Sequence, residues 1–184
     1  MKRFIIIMVL LITSQAICAQ RMLPKQKGIE INSGKLFTGN LDNYFINAVL
    51  IIHSKKGNYM LYALEYSRED IPYQNSEIPV ESITAEAAYS FNFIANRGKS
   101  LMVNFTLSAV AGYEIINRGD HLLYDGSLLL NDSSLIYGAG GKLSIESYLS
   151  DRFTIIVSGR TKVLWNTSRN QIRPSVGIGL RINL

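Results

Sequence analysis

Ser175-Val176-Gly177-Ile178-Gly179-Leu180-Arg181-Ile182-Asn183-Leu184 alternates without a break. Val176, Ile178, Leu180, Ile182 and Leu184 are apolar, while Ser175, Gly177, Gly179, Arg181 and Asn183 are small or polar. Side chains two apart share a face in a strand but not in a helix, so this stretch is a β-strand with one greasy and one polar face.

Working back along the chain, residues 29–36 (weakly), 44–53, 59–67, 80–93, 101–115, 135–147 and 153–165 behave similarly. In 80–93, Ile83, Ala85, Ala87, Tyr89, Phe91 and Phe93 share one face; Thr84, Glu86, Ala88, Ser90 and Asn92 share the other. Glycines interrupt several of these strands, as close packing or barrel curvature requires. The links between strands alternate in length. Residues 54–58, 95–100 and 149–152 are short turns; 68–79, 117–134 and 166–173 are longer; 37–43 is intermediate. Short turns at one end and long loops at the other are the pattern of an outer-membrane barrel. The expected architecture is therefore all-β: an eight-stranded antiparallel transmembrane β-barrel with both termini at the short-turn, periplasmic end.

A soluble eight-stranded barrel alternates too, with its apolar face inward. Three features favour lipid outside. Aromatics (Phe91, Phe93, Tyr113, Phe153 and Trp165) stand near the ends of the apolar rows, where interfacial girdles lie. The polar rows carry Glu86, Glu114, Glu146, Lys142, Arg160, Lys162 and Arg181 among Ser, Thr and Gly, fewer charges than a solvated face holds. Only 18% of all residues are charged. In lipid every unpaired edge group costs several kcal/mol, so the first strand must pair with the last. The seven interior charges are expected to neutralise one another, because an unpaired buried charge is costly. A barrel of this size fills with side chains, which predicts little conductance.

The N-terminus reads as an export signal. Lys2 and Arg3 precede an unbroken apolar run over 4–12, followed by Thr13-Ser14-Gln15 and the small residue Ala19. At 1.5 Å per residue that run spans only ~14 Å, too little for a ~30 Å bilayer core. The expected division is a signal peptide at 1–19, a periplasmic segment at 20–27 and a barrel domain at 28–184. Cleavage after Ala19 removes Cys18, the single cysteine, and leaves a thiol-free chain suited to an oxidising compartment. A lipoprotein reading of Cys18 is disfavoured by the bulky Ile17 before it. After the signal, no apolar run is long enough for a membrane helix.

Composition narrows function chiefly by exclusion. A hydrophobic content of 47% excludes a mostly disordered chain, and 184 residues suffice for one domain. A net charge of +5 without a long basic run argues against a dedicated nucleic-acid binder. His53 and His121 sit in no metal-ligand pattern, so no metal or other cofactor is expected. Asp120-His121 offers no hydrolytic spacing, and no enzymatic activity is expected. Tyr137-Gly138-Ala139-Gly140-Gly141 lies inside a strand pattern with no following helix, which makes its glycines packing residues rather than a phosphate loop.

Several blocks carry a resemblance beyond fold: QRMLPKQKG (20–28), TAEAAYSF (84–91), AVAGYEIINRG (109–119), Leu123-Tyr124-Asp125-Gly126, YGAGGKLSIESYLSDRF (137–153) and RPSVGIGL (173–180). Together they resemble the TraO family of conjugative-transposon transfer proteins of Bacteroides-type bacteria, over nearly the whole mature chain. The resemblance implies an outer-membrane component of a conjugal transfer apparatus, with outer-membrane lipid and other conjugal transfer proteins as partners. It supplies no catalytic residues. The terminal Leu184 stands where such barrels commonly carry an aromatic. A filled barrel leaves no path for DNA, so the expected role is to anchor or stabilise a larger complex. The basic residues Arg21, Lys25 and Lys27 are candidate periplasmic contacts. The alternative is a small structural or adhesive barrel whose links 68–79 and 117–134, with Tyr73, Leu122, Leu123, Tyr124 and 128–130, bind an external ligand.

Overall fold

The computed structural model describes residues 24–38, 42–73, 76–98, 100–120, 127–128 and 133–184. The export signal, Arg21, and the loop residues His121 and Leu122 to Tyr124 lie outside the described residues.

Eight strands follow in order: β1 Lys27–Leu36, β2 Tyr44–His53, β3 Tyr59–Tyr73, β4 Ser76–Ala95, β5 Leu101–Ile116, β6 Ser134–Tyr148, β7 Phe153–Trp165 and β8 Ile172–Asn183. Each pairs antiparallel with the next, and β1 pairs with β8 from Gly28↔Asn183 to Leu36↔Ser175, closing the barrel. No sheet edge is left within the cylinder, as a lipid environment demands.

The alternation resolves in favour of grease outside. On β8, Ile178 is 62% exposed while Arg181 is fully buried. The outward rows carry Ile29, Ile31, Leu64, Ile83, Leu107 and Leu143, all exposed. Aromatics bound this band: Phe91, Phe93 and Phe153 near the short turns, and Tyr113, Tyr137 and Trp165 near the long loops. From Phe153 to Trp165, strand β7 runs ~40 Å at ~3.3 Å per residue, or ~30 Å in height at a tilt of ~40°. That matches a bilayer core.

One link departs from the sequence expectation. Residues 68–73 and 76–79 are strand and not loop: β3 and β4 continue as paired strands to Tyr73↔Ser76. Pro72 and Pro79 disguise this in the sequence. Pairing of β2 with β3 stops at Arg68, and pairing of β5 with β4 stops at Val80. Both prolines therefore lie in a two-stranded arm with a free edge on each strand, where a missing N–H is tolerated. Ile78, Val80 and Ile116 form a buried cluster at the arm's base, with Ile71 and Tyr73 packed on it. The Asp70 N–H also donates to Asn43 Oδ1 at 2.9 Å, tying the arm to the β1–β2 link. A smaller difference is at the other end, where Lys27 is the first residue of β1 rather than the last of a separate segment.

Candidate functional site

The inward faces bring charged side chains from strands far apart in sequence onto three levels. Nearest the short turns, Arg181 of β8 donates to Glu30 Oε2 from Nε at 2.9 Å and to both oxygens of Glu146, at 2.6 and 3.0 Å. Tyr59 donates to Glu146 at 2.5 Å, Tyr148 at 3.2 Å and Ser144 at 3.5 Å, so with the two from Arg181 this carboxylate accepts five bonds. The Arg181 guanidinium lies 4.8 Å over the Tyr59 ring, and Lys142 Nζ is 3.8 Å from Glu30.

At the middle level, β7 presents Arg160 and Lys162 to Glu65 of β3 and Glu86 of β4. Lys162 Nζ is 2.9 Å from Glu65 and also contacts Glu86. Arg160 contacts Glu65, lies 3.6 Å from Glu86, and stacks 3.9 Å above the Phe45 ring. Phe45 has room because Gly34 and Gly177 pair across the β1–β8 seam. A Cβ on either glycine would meet its ring at 2.7 and 2.8 Å respectively.

Toward the long loops, Arg173 reaches Glu69 at 3.0 Å and Glu114 at 2.7 Å, and Arg169 Nε is 3.7 Å from Glu69. The β7–β8 link folds inward onto Glu114, which accepts bonds from the Thr167 hydroxyl and the Ser168 N–H, each at 2.9 Å. An amide relay joins the lower two levels: Asn32 Nδ2 donates to Glu30 at 2.8 Å and to Asn47 at 2.7 Å, and Asn47 Nδ2 donates to Glu65 at 3.3 Å.

Each level sets two cations against two carboxylates: Arg181 and Lys142 with Glu30 and Glu146, Arg160 and Lys162 with Glu65 and Glu86, Arg173 and Arg169 with Glu69 and Glu114. Every level is thus neutral, which makes ion burial tolerable. Cavities beside the middle level measure ≈ 30 Å³, lined by Phe45, Glu86 and Lys162, and ≈ 10 Å³. That is room for about one or two water molecules. With Val110, Ile136 and Leu164 also buried inside, the described side chains fill the cylinder around these levels.

All seven charges picked from the alternation (Glu86, Glu114, Glu146, Lys142, Arg160, Lys162 and Arg181) face this interior. Glu30, Glu65, Glu69, Arg169 and Arg173 join them and were missed. Glu30 follows from the parity of Ile29 and Ile31, but its segment is weakly patterned. Glu69 and Arg173 lay in stretches read as links. The basic segment is different in kind: Lys25 and Lys27 are exposed at the short-turn end and contribute nothing to the interior. Among the described residues no group of His, Cys, Asp and Glu suits a metal ion. His53 is buried edge-on against the Tyr59 ring at 5.7 Å. Gly138 and Gly140 are close-packed, with an added Cβ 2.0 Å from the Val163 carbonyl oxygen and 2.6 Å from Ser108 Oγ.

An apolar exterior with aromatic borders around a neutral, filled, ion-paired interior defines the class: a small eight-stranded β-barrel of outer-membrane type. Solved structures agree on the fold. The N-terminal β-barrel domain of Pseudomonas aeruginosa OprF is similar at 12% identity and a TM-score of 0.51, over 87% of this chain and 98% of that one. Neisserial surface protein A gives 13% and 0.52, over 86% and 95%. Ail, the attachment invasion locus protein of Yersinia pestis, gives 10% and 0.53, over 86% and 97%. No curated protein matches the sequence. The family model described as conjugative transposon protein TraO matches residues 23–184, and the chain belongs to that family.

Proposed function

We propose that this protein is a non-enzymatic outer-membrane component of a conjugative transfer apparatus, where it anchors or stabilises the transfer complex. Family membership supplies the process, and the filled interior carries the choice of role. Interior voids of ≈ 30 and ≈ 10 Å³ admit no nucleic acid, so a single barrel is a fixed point in the membrane and not a conduit. The short-turn end faces the periplasm in this reading, with Lys25 and Lys27 exposed there and Arg21 just before them in sequence, for contact with other transfer proteins.

The test is mating from a deletion strain with and without the intact gene restored. Transfer is expected to fall sharply and to recover on complementation, with envelope integrity unchanged. Undiminished transfer would overturn the role. The variant R21Q/K25Q/K27Q, which keeps the backbone bonds of this segment, is expected to lower mating without lowering barrel insertion, and normal mating by that variant would remove the segment from the proposal.

A further inference from the structure

The short-turn end of the barrel has four stations, and each carries a base. The start of β1 brings Lys25 and Lys27, the β2–β3 turn Lys55 and Lys56, the β4–β5 turn Arg97, and the β6–β7 turn Arg152. All six are exposed, and none makes an ion pair among the described residues. Among the described residues the acidic side chain at this rim is Asp151, which is half-buried. Among the described residues the links at the opposite end hold Asp42 and Asp120 against Arg118 and Arg169, and Arg169 is turned inward to Glu69.

The rim is held together by backbone bonds. The Lys25 N–H donates to the His53 carbonyl and the His53 N–H to the Gln26 carbonyl, each at 2.8 Å. On the other side of β1, the Leu184 N–H donates to the Lys27 carbonyl and the Asn183 N–H to the Arg152 carbonyl, again at 2.8 Å. Two of the lysines, Lys25 at φ 73° and Lys56 at φ 62°, occupy the left-handed region that glycine or asparagine adopts at less cost.

Depth identifies the ligand. Lys27 is two residues from the outward-facing Ile29, Arg152 adjoins Phe153, Arg97 is three residues beyond Ile94, and Lys56 is four before Met60; all four apolar residues are exposed on the band. At ~3.3 Å per residue along tilted strands, the charged ends fall ~5–10 Å beyond the hydrocarbon, the level of lipid phosphates, with the side-chain stems lying along the apolar surface. A partner protein docked to one side would meet one arc of the rim. A base at every station matches a ligand that surrounds the barrel.

We propose that this rim binds the anionic phospholipid headgroups of the leaflet around the short-turn end. The proposal deepens the membrane placement given above and rests on that placement, but not on the role in transfer. The experiment uses the full mature chain folded into phosphatidylcholine vesicles containing spin-labelled phosphatidylglycerol or spin-labelled phosphatidylcholine, and reads the fraction of label immobilised against the protein. The wild type is expected to favour phosphatidylglycerol about three- to tenfold at low salt, and the preference is expected to vanish at high salt. The variant K25Q/K27Q/K55Q/K56Q/R97Q/R152Q is expected to show no preference while keeping its heat-dependent gel shift. Where that variant does not fold, K55Q/K56Q/R97Q is expected to lose part of the preference. Equal association of both lipids with the wild type, or a preference the variants retain, overturns the proposal. Equal association of both lipids with the wild type together with a mating defect in the six-site variant assigns the rim to an acidic protein partner. Mating by the deletion strain, a separate measurement, is what decides the transfer role.

Discussion

Glu146 of β6 and Arg181 of β8 meet across the interior in a two-pronged pair, at 2.6 and 3.0 Å, with both residues fully buried. Glu30 shares the same guanidinium. Removing the arginine alone strands the Glu146 carboxylate away from water and leaves Glu30 only the more distant Lys142, at 3.8 Å. Arg181→Met is therefore expected to cost about 3–5 kcal/mol of barrel stability. The double change Glu146→Gln with Arg181→Met removes the pair together, leaves Glu30 facing Lys142, and is expected to regain most of that loss. Urea unfolding in vesicles, followed by the gel shift on heating, measures both. A double variant as unstable as the single one would mean that stranded charge is not the cause.

The seam between β1 and β8 depends on two facing glycines. A Cβ at Gly34 would lie 2.0 Å from the Val176 carbonyl oxygen and 2.7 Å from the Phe45 ring. The first contact is backbone and cannot give way by side-chain rotation. Gly34→Ala is expected to lower the yield of folded barrel severely. Gly159→Ala is the matched control, because nothing lies within 4 Å of its added Cβ. Its effect is expected to stay within about 0.5 kcal/mol. Equal folded yields for the two variants would contradict the packing described here.

Much of this architecture was legible because the two faces differ in chemistry. On β8 each greasy residue is followed by a small or polar one, and the observed exposure follows that order through Asn183. Strand β2 shows the limit: Val49 and Ile51 point inward while Ile46 and Leu50 point outward, so its faces cannot be told apart by hydropathy. The β3–β4 arm was obscured by prolines that break a ladder only where a second neighbour exists. The interior charges were recognisable as a set, but their partition into neutral levels depends on register between non-adjacent strands. Glu65 of β3 meets Arg160 and Lys162 of β7, and no periodicity in one strand encodes that meeting.

The filled interior makes a direct electrical prediction. With the lower two levels bridged by Asn32 and Asn47 and room for about one or two waters beside the middle level, the described residues leave ions no open path past these two levels. The purified barrel in a planar bilayer is expected to show no stable single-channel steps at moderate voltage. Regular steps from protein that still shows the heat-dependent gel shift would refute the closed interior, and with it the exclusion of a conduit role.

Glu114 is the latch for the long-loop end. It accepts bonds from Thr167, Ser168 and Arg173, and so holds the β7–β8 link down inside the barrel mouth. Arg169 is consequently shielded, at 15% side-chain exposure, and a protease cannot seat an extended segment around it. Arg118, in the β5–β6 link, is exposed and makes an internal comparison. Trypsin added outside vesicles holding the folded protein is expected to cut after Arg118 and to spare Arg169 in the wild type. In Glu114→Ala the three bonds are gone, the link is expected to swing outward, and a second cut after Arg169 should appear at an unchanged rate of cutting after Arg118. Mass spectrometry of the fragments reads both. Continued protection of Arg169 in the variant would show that Arg173 and Glu69 hold the link without Glu114.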